Sequence, residues 1–460
     1  MSKQQGTARM SKRQRSGGEP SLPFGPDLRV VDLFAGAGGL SEGFRQAGFK
    51  ITGGLDSDPD AMATYALNFP EARSITGDLR QAPIREQLRD VLKMTNVLVG
   101  GPPCQAFSQV RNHTRVIDDP RNSLYREFVH VLGEMKPLGF LMENVTGMDQ
   151  MGVREQIASD LALDGEYIVG PQVLDAADFG VPQTRKRLLF FGIRSDLGQQ
   201  PPTLKGTGAA EAMYLDRVVG QKGSTYSVKT TGKSGAKRLA AALANPANGM
   251  VVSAEDALSD LEDLAVGSRD DQIDYANLPE ARSAYQKMMR EGNGSSLANV
   301  QVPRINKDTV LRLRGVPQGG NHRDLSDDLL DRYITGQRWG QDNGTGRLSR
   351  RHFYAYRRLH PGMWAWTLNT KADSVYHYSV ARALSVREFA RLQSFPDRFV
   401  FTTDSRKGLI PGRHDGGPAH SRYRQVGNAV PPLLARAAAE AMSSLLMFTA
   451  SRPVRRAGAA

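Results

Sequence analysis

From Leu28 to about Arg194, hydrophobic residues arrive in short bursts: Arg29-Val-Val-Asp-Leu-Phe34, Ile51 to Leu55, Asn96 to Val99, Gly139 to Met142 and Arg187 to Phe191. Segments with helical spacing separate them. Bursts this short, bounded by glycine, proline or polar residues, predict buried strands rather than helices. Their alternation with helical segments predicts an α/β fold built on a parallel, doubly wound sheet. Between Leu197 and Gly362 the rhythm is lost, and glycine, polar and charged residues dominate, with basic stretches such as Arg347-Leu-Ser-Arg-Arg351. A separate, loop-rich module is expected there. Helical spacing returns at Ser385–Gln393 and again at Pro431–Met447, where prolines open an alanine- and leucine-rich run. The polar, basic ends, 1–27 and 451–460, read as disordered tails.

The first predicted strand runs into Phe34-Ala35-Gly36-Ala37-Gly38-Gly39-Leu40. Glycines at such a turn let backbone amides approach a ligand closely. About twenty residues further on, the second strand ends at Asp56-Ser57, where nucleotide-type folds place a carboxylate on ribose hydroxyls; Asp56 is the candidate for that contact. Asp78, followed by Leu79, closes the next apolar stretch and could accept from an adenine amino group. The spacing Gly36-x-Gly38-Gly39 departs from Gly-x-Gly-x-x-Gly, which points away from a nicotinamide cofactor.

Composition sharpens the picture at one residue. Cys104 is the only cysteine among 460 residues, so no intrachain disulfide can form. It follows a predicted strand within Gly100-Gly-Pro-Pro103-Cys104-Gln105. Two glycines and two prolines forbid continuation as strand or helix, so the chain must turn and present the thiol at a carboxyl edge of the sheet, where open α/β folds bind ligands. A lone cysteine is more often a small buried hydrophobe; its neighbours favour a nucleophile here. The formal net charge of +12 favours a polyanionic partner. No stretch approaches the roughly 18 apolar residues of a membrane span, and the basic start has no hydrophobic core, so a soluble, cytoplasmic monomer without membrane contact is expected. No metal is expected.

Six blocks in order resemble the DNA cytosine-5 methyltransferases that use S-adenosyl-L-methionine: the glycine loop, Pro103-Cys104-Gln105, Glu143-Asn144-Val145, Gln183-Thr-Arg185-Lys-Arg187, Arg391-Leu-Gln-Ser-Phe-Pro396 and Gln425-Val-Gly-Asn428-Ala429-Val430. The resemblance spans nearly the whole chain. It implies a Rossmann-like class I methyltransferase domain in two parts, 28–196 and 371–450, interrupted by a smaller, irregular target-recognition domain at 197–370. It further implies that the last helix returns to the first strand and brings Asn428 and Ala429 to the cofactor, with Phe34, Ala35, Gly36, Gly38, Gly39, Leu40, Asp56, Ser57, Asp78, Leu79 and Pro103 as its other contacts. The family commonly carries glutamate in place of Asp56 and a bulky residue covering the adenine in place of Ser57. Phe34 is then a candidate for stacking.

Cytosine C5 is a poor nucleophile, so methylation requires covalent addition at C6, and a thiolate suits that attack. The resemblance gives this role to Cys104. Glu143, at the end of its strand, would protonate or hydrogen-bond N3, and Arg187 would reach O2, where charge develops. Arg185 would help hold the catalytic loop and the flipped nucleotide, and Asn144 would fix local backbone. The target base must leave the stack, which calls for a movable loop, and Gln105–Pro120, with Ser108, Arg111 and Arg115 as DNA contacts, suits that task. Double-stranded DNA is the expected partner, with functional pairing to a cognate restriction endonuclease, an orphan enzyme without one being the alternative. Two alternatives stay open: an RNA-directed cytosine methyltransferase, many of which need a second active-site cysteine, and a catalytically idle DNA-binding regulator.

Overall fold

The computed structural model describes residues 27–103, 123–147, 153–221, 223–244, 250–330, 355–404 and 417–450. Both tails, Cys104 and the Gln105–Pro120 loop with Ser108, Arg111 and Arg115 lie outside the described residues. The first half runs β1 (Arg29–Leu33), α1 (Gly39–Gln46), β2 (Lys50–Asp56), α2 (Pro59–Asn68), β3 (Arg73–Thr76), α3 (Ala82–Lys93), β4 (Val97–Gly100), α4 (Ser123–Met135), β5 (Gly139–Val145), α5 (Arg154–Leu161), β6 (Tyr167–Asp175) and β7 (Lys186–Arg194). These strands form one seven-stranded sheet in the order β3-β2-β1-β4-β5-β7-β6.

Strand alternation explains the two cores. Val30, Val97 and Val99 point to one face, where they join Phe44 of α1 and Leu434, Ala438 and Met442 of the Pro432–Ala450 helix. Val31, Leu33 and Leu98 point to the other, against Leu88 of α3, Phe128 of α4 and Ile157 of α5. A three-layer α/β sandwich results.

The expectation of a wholly parallel sheet needs correction at β7. Strands β3, β2, β1, β4 and β5 are mutually parallel, but β7 pairs antiparallel with both β5 and β6. The β6–β7 connection holds only residues 176–185 and no crossover helix, and a parallel pair needs a crossover of a dozen or more residues. The β6 strand escaped the pattern because it is half-exposed. Its Pro171 is tolerated because β6 is an edge.

The middle region is more regular than its composition predicts. It contains α6 (Ala209–Ala212), a hairpin of β8 (Met213–Gly220) and β9 (Gly223–Thr230), α7 (Gly232–Ala244), α8 (Ala254–Leu258), β10 (Gln272–Asp274), α9 (Ala284–Arg290), β11 (Ser296–Ala298) and α10 (Lys307–Gly315). Packing does not break at residue 370: Ala254, Leu258, Tyr285 and Leu368 share one buried cluster with Val30 of β1. Among the described residues no helix is long and apolar enough to cross a membrane.

Candidate active site

The carboxyl ends of β1, β2, β4 and β5 open into a cavity of about 700 Å³. Its floor is the turn after β1, where Phe34 (φ 61°) and Gly36 (φ 53°) adopt left-handed backbone. A side-chain carbon at Gly36 would meet nothing within 4 Å, so this glycine faces open space. Gly38 (φ 99°) instead abuts the Phe69 and Tyr65 rings and is absent from the cavity wall. A side chain at Gly39 would collide with the Val430 carbonyl, which brings the C-terminal segment against the loop.

Asp56 closes the loop from the side. One carboxylate oxygen accepts from Gly36 N at 2.9 Å and the other from Asp58 N at 2.8 Å. Burial pushes its pKa up, and those backbone donors only partly offset this. A cation in the cavity would relieve that penalty. Ser57, Leu79, Leu40 and Ala35 also line the cavity. So does Asp78, but Arg80 grips its carboxylate in a 2.5 Å ion pair and holds its pKa down. An adenine amino group would share that acceptor.

Below the loop, Asp32 is fully buried; Ser41 Oγ donates to one of its oxygens at 2.8 Å, and the other has no partner among the described residues. Burial raises its pKa from 3.8 to about 7. Its folded-state pKa lies above the unfolded value, so stability is lost as pH rises from about 4 to about 7 and is level above that. Asp32→Asn removes this titration. Chemical denaturation of variant and wild type at pH 5 and pH 8 is expected to shift the difference toward the variant by about 3 kcal/mol, the two or so pKa units that lie between pH 5 and the folded-state value. A difference independent of pH would contradict the assignment.

On the opposite wall, Glu143 of β5 and Arg187 of β7 pair at 2.6 Å, each about an eighth exposed at 13% and 12%. The same Glu143 carboxylate leans on Gly101, 3.0 Å from where a side-chain carbon would stand. Asn144 Nδ2 donates to Pro102 O at 3.1 Å, while its Oδ1 accepts from Val145 N at 2.9 Å. Asn144 thereby clamps the turn that leads into Cys104, and Pro103 on that turn lines the cavity.

Arg185 is 3% exposed, and its described bonds run to the carbonyls of Leu368 (3.2 Å) and Gly427 (2.8 Å), not to the loop after β4. Burial, with Arg187 nearby, pushes its pKa well down. It ties β7 to the C-terminal segment and leaves positive charge behind the Glu143–Arg187 pair. Asn428 and Ala429 reach the cavity, as the motif order implies. Two buried glutamines complete the join: Gln183 Oε1 accepts from Leu368 N at 2.9 Å, and Gln393 Nε2 donates to Ala429 O at 2.5 Å.

Sequence reasoning missed Arg424 and Asp58, which pair at 2.8 Å on the cavity rim. A signal existed for the first: Arg424 and Asn428 fall on one face of the Gly417–Asn428 helix by i, i+4 spacing. Asp58 was hidden by its ordinary role as N-cap of α2.

The model of the C-5 cytosine-specific DNA methylase family matches residues 28–444. The chain belongs to that family. It is a DNA cytosine-5-methyltransferase with a Rossmann-like catalytic fold. It is 31% identical over 437 residues to the type II methyltransferase M.DdeI of Desulfomicrobium norvegicum, covering 90% of this chain and 88% of that protein. It is 30% identical to M.AgeI of Thalassovita gelatinovora, over 90% of this chain and 98% of that protein. Among solved structures, an E. coli prophage-encoded chain described as a DNA modification methyltransferase superposes with a TM-score of 0.61 at 23% identity, covering 92% of this chain and 100% of that one. That likeness concerns the fold alone.

Proposed function

We propose that this methyltransferase takes S-adenosyl-L-methionine in the cavity after β1 and modifies C5 of a cytosine flipped out of a specific double-stranded DNA sequence, through a covalent Cys104–C6 intermediate. The observation that carries the proposal is the Glu143–Arg187 pair, which faces the same cavity as the glycine loop and abuts the turn into Cys104. When bound, S-adenosyl-L-methionine supplies a methyl group on a positively charged sulfonium. The donor set fits it: Asp78 and Asp58 are paired with Arg80 and Arg424, while buried Asp56 has backbone donors but no cationic partner among the described residues and favours a cationic guest. Phe34, Ala35, Gly36, Gly39, Leu40, Ser57, Leu79, Pro103, Asn428 and Ala429 would complete its surroundings.

Cys104, as thiolate, would add to C6 and make C5 electron-rich. Glu143 would meet N3, where the displaced charge arrives, and Arg187 would stabilise O2 from 2.6 Å behind the carboxylate. Buried Arg185 would add fixed positive potential at no reorganisation cost. Methyl transfer leaves the spent donor as a neutral thioether; loss of the C5 proton to water then sends its electron pair into the C5–C6 bond, breaks the C6–S bond and returns the thiolate. The relatives' designation as type II methyltransferases supports a role in protecting host DNA from a cognate restriction endonuclease.

Bisulfite sequencing of DNA from a bacterial host devoid of cytosine methylation, expressing this chain, is expected to reveal protected cytosines confined to one short motif. Soluble protein that binds S-adenosyl-L-methionine yet protects no cytosine would overturn the reading.

A further inference from the structure

The region between β7 and the Val386–Leu392 helix is not electrostatically uniform. Residues 250–302 carry ten acidic and four basic side chains, in a chain with a formal net charge of +12. Residues 211–238 carry six basic and two acidic ones. A polyanionic duplex repels the first segment and attracts the second.

Packing divides the region in the same way. The acidic segment is welded to the catalytic core. Arg391 of the Val386–Leu392 helix donates to Asp260 at 2.5 Å and to Asp397 at 2.7 Å, and Tyr275 Oη reaches the same Asp397 at 2.8 Å. Asn299 exchanges two hydrogen bonds with the Phe401 backbone, at 3.0 and 2.8 Å. These groups spend their polar capacity internally.

The β8–β9 hairpin and α7 behave differently. Arg217 and Tyr226 on the hairpin both hold Asp324 at 2.8 Å, and Leu215 and Val228 pack with Ala177, Met363 and Trp364. Ala177 lies in the turn between β6 and the Gln183–Arg187 block, so the hairpin base is registered against the catalytic edge. Its outer part leaves Val218 and Val219 55% and 67% exposed. Lys229 on β9 is exposed beside it, in a loose 3.6 Å pair with Asp216, together with Lys233 and Lys237 one turn apart on α7.

We infer that the target duplex is engaged by the β8–β9 hairpin and α7, and that the acidic segment 250–302 is a core element that stays off the DNA. A two-stranded ribbon fits the major groove, where exposed valines can meet thymine methyl groups and flanking lysines the phosphates. The inference rests on the proposed function, since it names the part of the chain that selects the site.

The test uses the full chain and two variants of exposed residues, Lys229→Ala/Lys233→Ala/Lys237→Ala and Val218→Ser/Val219→Ser, with Arg269→Ala/Lys287→Ala in the acidic segment as control. Duplex affinity is measured against salt concentration. The lysine variant is expected to flatten the slope of log K against log salt by roughly two to three, since each lost phosphate contact removes about 0.9; the control leaves it unchanged. The valine variant is expected to keep the slope but change the set of methylated motifs or lower kcat/KM on the cognate site at least tenfold. Thermal melts matching wild type establish that each variant folds. A lysine variant with the wild-type slope, a valine variant with wild-type site choice and rate, or a control that flattens the slope would overturn the inference. The salt slope needs no turnover, so it judges this inference even if wild type methylates no duplex, an outcome that would instead overturn the functional proposal.

Discussion

Cys104→Ala is expected to abolish methylation while S-adenosyl-L-methionine binding stays near the wild-type level. The two effects separate because most of the cavity wall comes from elsewhere, from the turn after β1, Asp56 on β2, and Asn428 and Ala429 at the C-terminal join, with Gly101 to Pro103 left unchanged by the substitution. The proposed chemistry needs the Cys104 thiol, because without addition at C6 the ring carbon at C5 carries too little electron density to attack a sulfonium methyl. Nor can another side chain substitute, as the chain has a single cysteine. Calorimetric titration with S-adenosyl-L-methionine and a radiolabelled methyl-transfer assay on duplex DNA check the two halves separately. Residual transfer at a rate close to wild type would refute covalent catalysis by Cys104, and loss of cofactor affinity would mean that the Cys104 side chain itself supports the cofactor site.

Glu143→Gln should lower the single-turnover rate by about 10² to 10⁴, the range that a positioned acid contributes. The amide keeps the shape and can still accept from Arg187 Nε, now 2.6 Å from the carboxylate, but it cannot give N3 a proton. Because the residue acts as charge develops, kcat should fall much more than KM rises. The Asn144 clamp on Pro102 does not involve the Glu143 side chain, so the turn before Cys104 keeps its place. A normal single-turnover rate would remove Glu143 from the mechanism. A rise in KM with kcat intact would recast it as a binding group.

Much of the site was legible from local chemistry. The Gly-Gly-Pro-Pro run forces a turn wherever it occurs, and alternating apolar positions in β1 and β4 feed both faces of a sheet whatever surrounds them. The glycine loop and Asp56 were likewise readable, since twenty residues of strand, helix and strand bring them together. Gly38 shows the limit. Its residue type announced a special backbone, but whether that backbone faces a ligand or the Phe69 ring depends on how α2 docks.

Propensity, periodicity and turn chemistry act over a few residues, so local sequence specified most elements of the catalytic half and the turns between them, but neither the half-exposed β6 nor the regular elements of the middle region. Only the tertiary structure decided the antiparallel insertion of β7, the anchoring of Arg185 on Leu368 and Gly427, the rim pair of Arg424 and Asp58, and the fusion of an acidic part of the middle region to the core. Each joins residues tens to hundreds of positions apart, and such pairings are selected by the packing of whole layers and by the burial of charge, which no local window of the chain contains.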